Sequence, residues 1–438
     1  MDTVPATIDR DAVAALSGER VDWRHKAMPP GLWGSTIAEV LARGPRLSQL
    51  PTPLLTLSKS AVDHNLTVMA DWCAARGINH APHGKTTMAP QLWSRQLAAG
   101  AWAITVANQS QLAVARAFGV SRTMVANSVV SPLGLRWISD QLTADAGAEI
   151  FVWADSVRTV ELMHTALDAH ARQAGQRRPI PVLVERGGAG GRTGARDRET
   201  AVAVARAITD SPHLILAGVA GYEGALSHHT DEASRDLVRA YLRDLVEVHT
   251  RLTELGCYPD GTTPVISAGG SAYFELVAEV LAPLTASGAR VVLRGGAYLV
   301  HDDGFYRYIS PLGSSPRTDG PRLRAAMHGW VRVTSQPEPG MALMDAGKRD
   351  LPFDEGLPEV QLRRPRSPGE EPTAMTGVAV PALNDQHGFL AFDPEADPPL
   401  VIGDELRLGL SHPCTAFDKW TLVPVIDDAD AADPTVVD

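Results

Sequence analysis

The sequence predicts an α/β chain in which a (β/α)8 barrel is followed by a β-rich domain. Eight short apolar runs begin at Ile78, Ala103, Thr123, Glu149, Pro181, Leu214, Pro264 and Arg290, and each except the last precedes a helical pattern. Their cores, among them Ile104-Thr105-Val106, Phe151-Val152-Trp153, Val182-Leu183-Val184 and Val291-Val292-Leu293, are apolar on both faces. Parallel strands covered by helices need that pattern, because neither face meets water. Eight βα units in about 230 residues match the length and rhythm of a closed barrel. A doubly wound open sheet is the runner-up reading of the same alternation.

The elements follow in chain order. Residues 1–50, rich in Ala and Arg with a Met28-Pro29-Pro30-Gly31 turn, are expected to form an N-terminal extension. The barrel is expected over residues 51–305. Within it, Leu54 to Leu57 is a first strand candidate. The stretch from Ala61 to Arg76 then spaces Val62, Leu66, Met69 and Cys73 as a helix, with Gly77 as its stop. After about residue 305 helical periodicity fades and Pro and Gly become frequent. Strand-like pieces at Gly329–Thr334, Met375–Val380 and Glu405–Leu410 predict a β-rich domain over 306–438. The run Arg363 to Pro372 is expected to be a mobile loop, and the acidic tail after Ile426 to fray.

Composition excludes several function classes. A net charge of −11 with no Lys/Arg block argues against a nucleic-acid surface. No apolar run approaches the roughly 18 residues of a membrane span. Met1-Asp2-Thr3-Val4-Pro5 shows no basic start to a secretory signal. Three scattered cysteines (Cys73, Cys257, Cys414) do not make a disulfide framework, so a cytoplasmic, reduced protein is expected.

Lys85 is the most informative residue. Only five of the forty cationic side chains are lysines: Lys26, Lys59, Lys85, Lys348 and Lys419. Arg stays protonated, whereas a desolvated Lys can lose its proton and attack a carbonyl. Lys85 also follows a strand candidate, at the barrel end where chemistry collects. The other strand ends there carry Asn108, Ser128, Asp155, Glu185-Arg186, Tyr222-Glu223-Gly224, Ser267 to Gly270 and Gly295-Gly296. The Ser267-Ala268-Gly269-Gly270-Ser271 and Arg294-Gly295-Gly296-Ala297-Tyr298 runs follow the seventh and eighth strands, where barrels often bind phosphate through backbone N–H groups. A reactive lysine after the first strand and phosphate loops after the last two meet the needs of pyridoxal phosphate. In the C-terminal domain, His412 and Cys414 stand two apart in a segment read as extended, so both side chains would reach one ion, and imidazole plus thiolate suits zinc. His387 is a candidate third ligand or acid–base neighbour.

These residues resemble the fold-type III pyridoxal phosphate enzymes, within them the D-serine dehydratase and D-threonine aldolase group. The resemblance runs from about Thr52 to Trp420. Its anchors are Pro82 to Thr86, Gly100 to Ala107, Gly221 to Gly224, Ser267 to Ser271, Met344 to Lys348, Gln386 to Gly388 and His412 to Cys414. It implies an alanine-racemase-like barrel, a homodimer and Lys85 as the cofactor-linking lysine. Cofactor contacts are implied at His83, Tyr222, Ser267, Gly269, Gly270 and Tyr298, and a metal at His412 and Cys414. The expected activity is zinc-assisted conversion of a β-hydroxy D-amino acid to a 2-oxo acid and ammonia. The alternative is an aldolase releasing glycine and an aldehyde, but the aldolase branch usually has Asp where this chain has Cys414. A racemase would need a second base, for which Tyr222 is the nearest catalytic candidate. Arg186 and Arg192 are candidates to face the pyridine nitrogen. Ala81 and Thr87-Met88 depart from the Arg and His-Lys of many relatives, beside the cofactor lysine, so substrate choice is open to change there.

Overall fold

The computed structural model describes residues 4–365, 367, 370–397 and 399–438. Its contacts divide into two units: residues through Val13 with Met69–Gly296, and Ala14–Val68 with Ala297–Asp438. The first strand, β1 (Leu54–Ser58), belongs to the second unit. The next eight are β2 (Asn79–His80), β3 (Ile104–Val106), β4 (Arg122–Ser128), β5 (Glu149–Ala154), β6 (Ile180–Arg186), β7 (Leu214–Gly221), β8 (Val265–Ala268) and β9 (Arg290–Leu293). Every one of them starts within one residue of the position that the apolar runs predict.

These eight strands form one parallel sheet in the order β2-β9-β8-β7-β6-β5-β4-β3. Its two ends join. Trp102 N–H donates to the His80 carbonyl at 2.7 Å, Thr105 N–H to the Pro82 carbonyl at 2.9 Å, and His83 bridges Thr105 in parallel. A closed barrel therefore replaces the open-sheet alternative. Its interior interleaves the large Trp102, Phe151 and Trp153 with Ala81, Ala103, Ala217 and Ala220. The alanines make room that the rings fill, and truncating a buried ring to Ala would cost about 3–5 kcal/mol. Helices between the strands start at caps the sequence supplies: Asn108, Ser131, Ser156, Asp197 and Asp231 each accept an N–H three residues on.

The second unit holds the remaining strands: β10 (Met327–Glu338), β11 (Met341–Met344), β12 (Glu359–Arg363), β13 (Thr373–Ala374), β14 (Gly388–Ala391), β15 (Glu405–Gly409) and β16 (Val425–Ile426). The sheet runs β13-β12-β15-β10-β1-β16, with β11 and β14 paired off β10. Here the structure departs from the expected boundaries at 51–305 and 306–438. Strand β1 pairs antiparallel with β10, Leu54 facing Trp330 and Leu57 facing Met327. Its five buried residues need apolar cover on both faces, and the Trp330 indole donates to Thr56 Oγ1 at 2.8 Å.

The N-terminal region also packs here: Val21, Met28, Val40, Leu47 and Leu50 share a core with Trp330, Ile426 and Val436. The tail does not fray, because Leu47 N–H donates to the Pro434 carbonyl and Val436 N–H to the Pro45 carbonyl, both at 2.9 Å. Met375–Val380 is no strand. Gly377 is left-handed there (φ 75°), and only Ala379 makes a bridge, to Ala391. The expected Arg363–Pro372 loop starts later: Arg363 ends β12, and Arg364 is buried against Glu405 (2.6 Å) and Asp433 (2.9 Å). Arg366, Pro368 and Gly369 lie outside the described residues. Among the described residues, no helix is long and apolar enough to cross a membrane.

Candidate functional site

In the first unit, the chain leaves β2 as Ala81-Pro82-His83 and makes a single helical turn at Gly84–Thr86 that carries the half-buried Lys85. Gly84 has to be glycine, since a Cβ would lie 2.7 Å from Ile104 and 2.8 Å from the Trp93 ring nitrogen. Beside it stands His83. Burial first, then the charges of Lys85, Arg294 and Arg192, hold its imidazole well below the ordinary value, so the ring is neutral. Its Nδ1 is buried without a partner. Gly296 packs on this turn: a Cβ there would sit 2.6 Å from the His83 carbonyl oxygen.

The ends of β6 to β9 supply the remaining groups. Tyr222 lies against Gly224 and Gly270, where a Cβ would come within 2.6 and 2.9 Å of its ring and hydroxyl. Burial raises its phenol above the ordinary range. The Arg192 guanidinium covers the ring at 4.6 Å. Arg186 is tied elsewhere, to Asp244 at 2.6 Å and to the Ala195 carbonyl at 2.7 Å.

Two residues without an assigned role in the sequence reading organise this end. Glu223, fully buried, accepts the N–H of Gly269 at 2.9 Å and of Gly270 at 2.8 Å. Arg294 is buried, donates to Ser267 Oγ and to the Gly221 carbonyl, both at 2.5 Å, and lies over the Trp153 ring at 4.6 Å. Ser267 Oγ in turn donates to the Val292 carbonyl at 3.0 Å. The donors expected to meet a phosphate at Ser267, Gly269 and Gly270 are thus engaged within the protein. Among the described residues, the Gly295 and Gly296 N–H groups have no protein acceptor. The Gly-Tyr-Glu-Gly run was a signal for Glu223; a lone Arg before two glycines was a weaker one for Arg294.

This end fits a planar, anionic cofactor on two counts. Glycines line it where side chains would intrude, and buried polar atoms stand without partners: His83 Nδ1, Ser128 Oγ, Trp153 Nε1, Glu185 Oε2 and Arg294 Nε. Native interiors rarely leave such atoms unsatisfied. A cavity of about 360 Å³ opens at the opposite end, lined by the first residues of β4, β5, β8 and β9, and contains none of the candidate residues.

In the second unit, Tyr298 is buried in the one-turn helix Ala297–Leu299 that follows Gly295-Gly296. His412 and Cys414 are not on an extended segment. His412 caps the short helix Pro413–Phe417 with a left-handed φ of 50°, and Cys414 lies inside that helix. The side chains still meet. A hydrogen bond with Cys414, more than the one with Asp354, raises the His412 imidazole to about 9 against the effect of burial. Asp354 accepts from His412 Nδ1 at 2.5 Å and from Thr415 Oγ1 at 2.8 Å. Among the described residues no group of three His, Cys, Asp or Glu side chains could hold a metal, and His387 is exposed in its loop. The imidazole–thiol pair fits a soft divalent ion with open positions. Asp302 is fully buried with one oxygen unpartnered, and burial lifts it to about 7. The His301-Asp302-Asp303 run drew no reading from sequence.

Comparison with known proteins shows what the chain is similar to. The Putative serine dehydratase domain family matches residues 326–426. A D-threonine aldolase of Arthrobacter sp. is 28% identical over 387 residues, covering 88% of this chain and 91% of that one. The 3-hydroxy-D-aspartate aldolase of Paracoccus denitrificans (strain Pd 1222) is 27% identical (83% and 86% covered). The D-threo-3-hydroxyaspartate dehydratase of Delftia sp. (strain HT23) is 25% identical (84% and 92% covered). Among solved structures, D-threonine aldolase from Filomicrobium marinum superposes with a TM-score of 0.71 at 25% identity (90% and 97% covered). An alanine-racemase-like protein from Idiomarina loihiensis shares the fold, with a TM-score of 0.66 at 16% identity (89% and 97% covered). Over most of its length the chain is similar to D-threonine aldolase and D-threo-3-hydroxyaspartate dehydratase, and within 326–426 it carries the serine dehydratase domain. These relatives are lyases, and the barrel with its β-rich partner sheet is alanine-racemase-like.

Proposed function

We propose that the protein is a zinc-assisted D-serine dehydratase-like lyase that turns a β-hydroxy D-amino acid into a 2-oxo acid and ammonia. The observation that carries this choice is the contact between His412 and Cys414, an imidazole–thiol pair inside the segment matched by the serine dehydratase domain.

Lys85 would hold pyridoxal phosphate, with Tyr222 against its ring, Tyr298 nearby in sequence and the Gly295–Gly296 N–H groups turned to the phosphate. When bound, the cofactor draws off the charge left at the substrate's α-carbon. The Lys85 amine takes the α-proton as a general base. His83 beside that amine is held neutral, by burial first and then by the charges of Lys85, Arg294 and Arg192. His412 and Cys414 would hold the metal, whose Lewis acidity offsets the charge on a departing β-oxygen. A protein acting this way would meet small D-amino acids as its partners. We further propose a cytoplasmic homodimer.

The aldolase reading has its own support, since three of the compared proteins are aldolases. Product assays on D-serine, D-threonine and their L-forms, with and without a zinc chelator, separate the two. Ammonia with a 2-oxo acid, lost on chelation, supports the dehydratase; glycine with an aldehyde replaces it by the aldolase.

A further inference from the structure

We infer that Asp354 is a positioning residue that aims His412 at the metal, resting on the reading that His412 and Cys414 hold one. An imidazole offers two nitrogens, and here Nδ1 is committed to the Asp354 carboxylate at 2.5 Å. That leaves Nε2 as the metal-facing atom and fixes the tautomer that presents it. A carboxylate behind a ligating histidine also raises the ring's basicity.

The other Asp354 oxygen accepts from Thr415 Oγ1 at 2.8 Å, on the short helix that carries Cys414. Two residues on, the Gly356 carbonyl accepts from Ser411 Oγ at 2.9 Å. One loop thus grips the turn on both sides of the ligand pair. The turn needs gripping, because a left-handed φ of 50° is unfavourable for histidine and persists only where its surroundings fix it. Stability is a poor explanation for this arrangement. The Asp354 side chain is 40% exposed, and exposed ion pairs stabilise folded chains little. Nor does Asp354 hold the metal itself, since its two oxygens are turned to His412 and Thr415.

The test uses the full chain with cofactor bound, stripped of metal and titrated with zinc against a chromophoric chelator. The parent should bind zinc, and Cys414→Ala should lose it. Asp354→Ala should bind about 10–100-fold more weakly, with Asp354→Asn in between because its amide oxygen still accepts from Nδ1. The unfolding temperature of the metal-free protein should not move in either Asp354 variant. Parent-like zinc affinity in Asp354→Ala overturns the inference alone. So does a lowered affinity matched by a lowered metal-free unfolding temperature. A parent that binds no zinc, or a Cys414→Ala variant that binds it as tightly, overturns the metal reading and this inference together.

Discussion

The Glu223 carboxylate accepts the backbone N–H of Gly270 at 2.8 Å and, through its second oxygen, that of Gly269 at 2.9 Å. An acidic side chain therefore fills the anion cradle that the Gly-rich run suggested for a phosphate. Replacing Glu223 with Ala strands these donors, at about 1–3 kcal/mol for each that is left buried and unpaired. Glu223→Gln keeps one acceptor and should fall between. Urea unfolding at pH 7 measures both; a Glu223→Ala chain as stable as the parent would remove this role.

Gly296 and His83 make a second testable contact. A Cβ at 296 would meet both the carbonyl oxygen (2.6 Å) and the Cβ (2.7 Å) of His83, so Gly296→Ala must push the Lys85 turn. Overpacking of this kind costs about 1–3 kcal/mol. Displacing a reacting group by an ångström costs about 100-fold in rate. Gly31→Ala, with nothing within 4 Å, is the control and should change neither. Steady-state kinetics alongside thermal unfolding would show the difference.

Cys414→Ala should leave the protein folded and coloured by its cofactor while β-elimination is lost. The loss should exceed the roughly 10–100-fold typical of a residue behind a ligand. Unchanged ammonia release from D-serine would take the metal out of the mechanism.

Acid should destabilise the fold through its buried neutral histidines. Burial lowers His80 to about 4 and His328 to about 3, one in each unit. Both pKa values are lower in the folded chain than in the unfolded one, so the unfolded chain binds more protons below about pH 6.5. Stability is full above that pH and declines as pH falls toward the folded values, at about 1.4 kcal/mol per pH unit for each histidine. Denaturant midpoints at pH 7, 6 and 5 test this, and a His328→Gln variant should show a shallower decline.

The barrel was legible because parallel strands impose apolar runs on the sequence, and each strand starts within one residue of such a run. The partner of β1 was not. Leu54-Leu55-Thr56-Leu57 is equally apolar against either sheet, and only the distant Trp330 and Met327 decide between them. The packed tail was hidden for a similar reason: its acidic composition masks backbone bonds to Pro45 and Leu47, almost 400 residues away. At the site, residue type marked Lys85, His412 and Cys414. Glu223 and Arg294 stood in recognisable Gly-rich runs, but their roles, like that of Asp354, lie in whom they bond, which no local spacing records.

The central claim is that Lys85 carries the cofactor, and covalent mapping tests it most directly. Protein incubated with pyridoxal phosphate, reduced with borohydride and digested should yield one pyridoxyl-modified peptide, centred on Lys85. The Lys85→Ala chain should yield none and should be inactive. Label on Lys26, Lys59, Lys348 or Lys419 instead, or a Lys85→Ala variant that still turns over, would contradict the account.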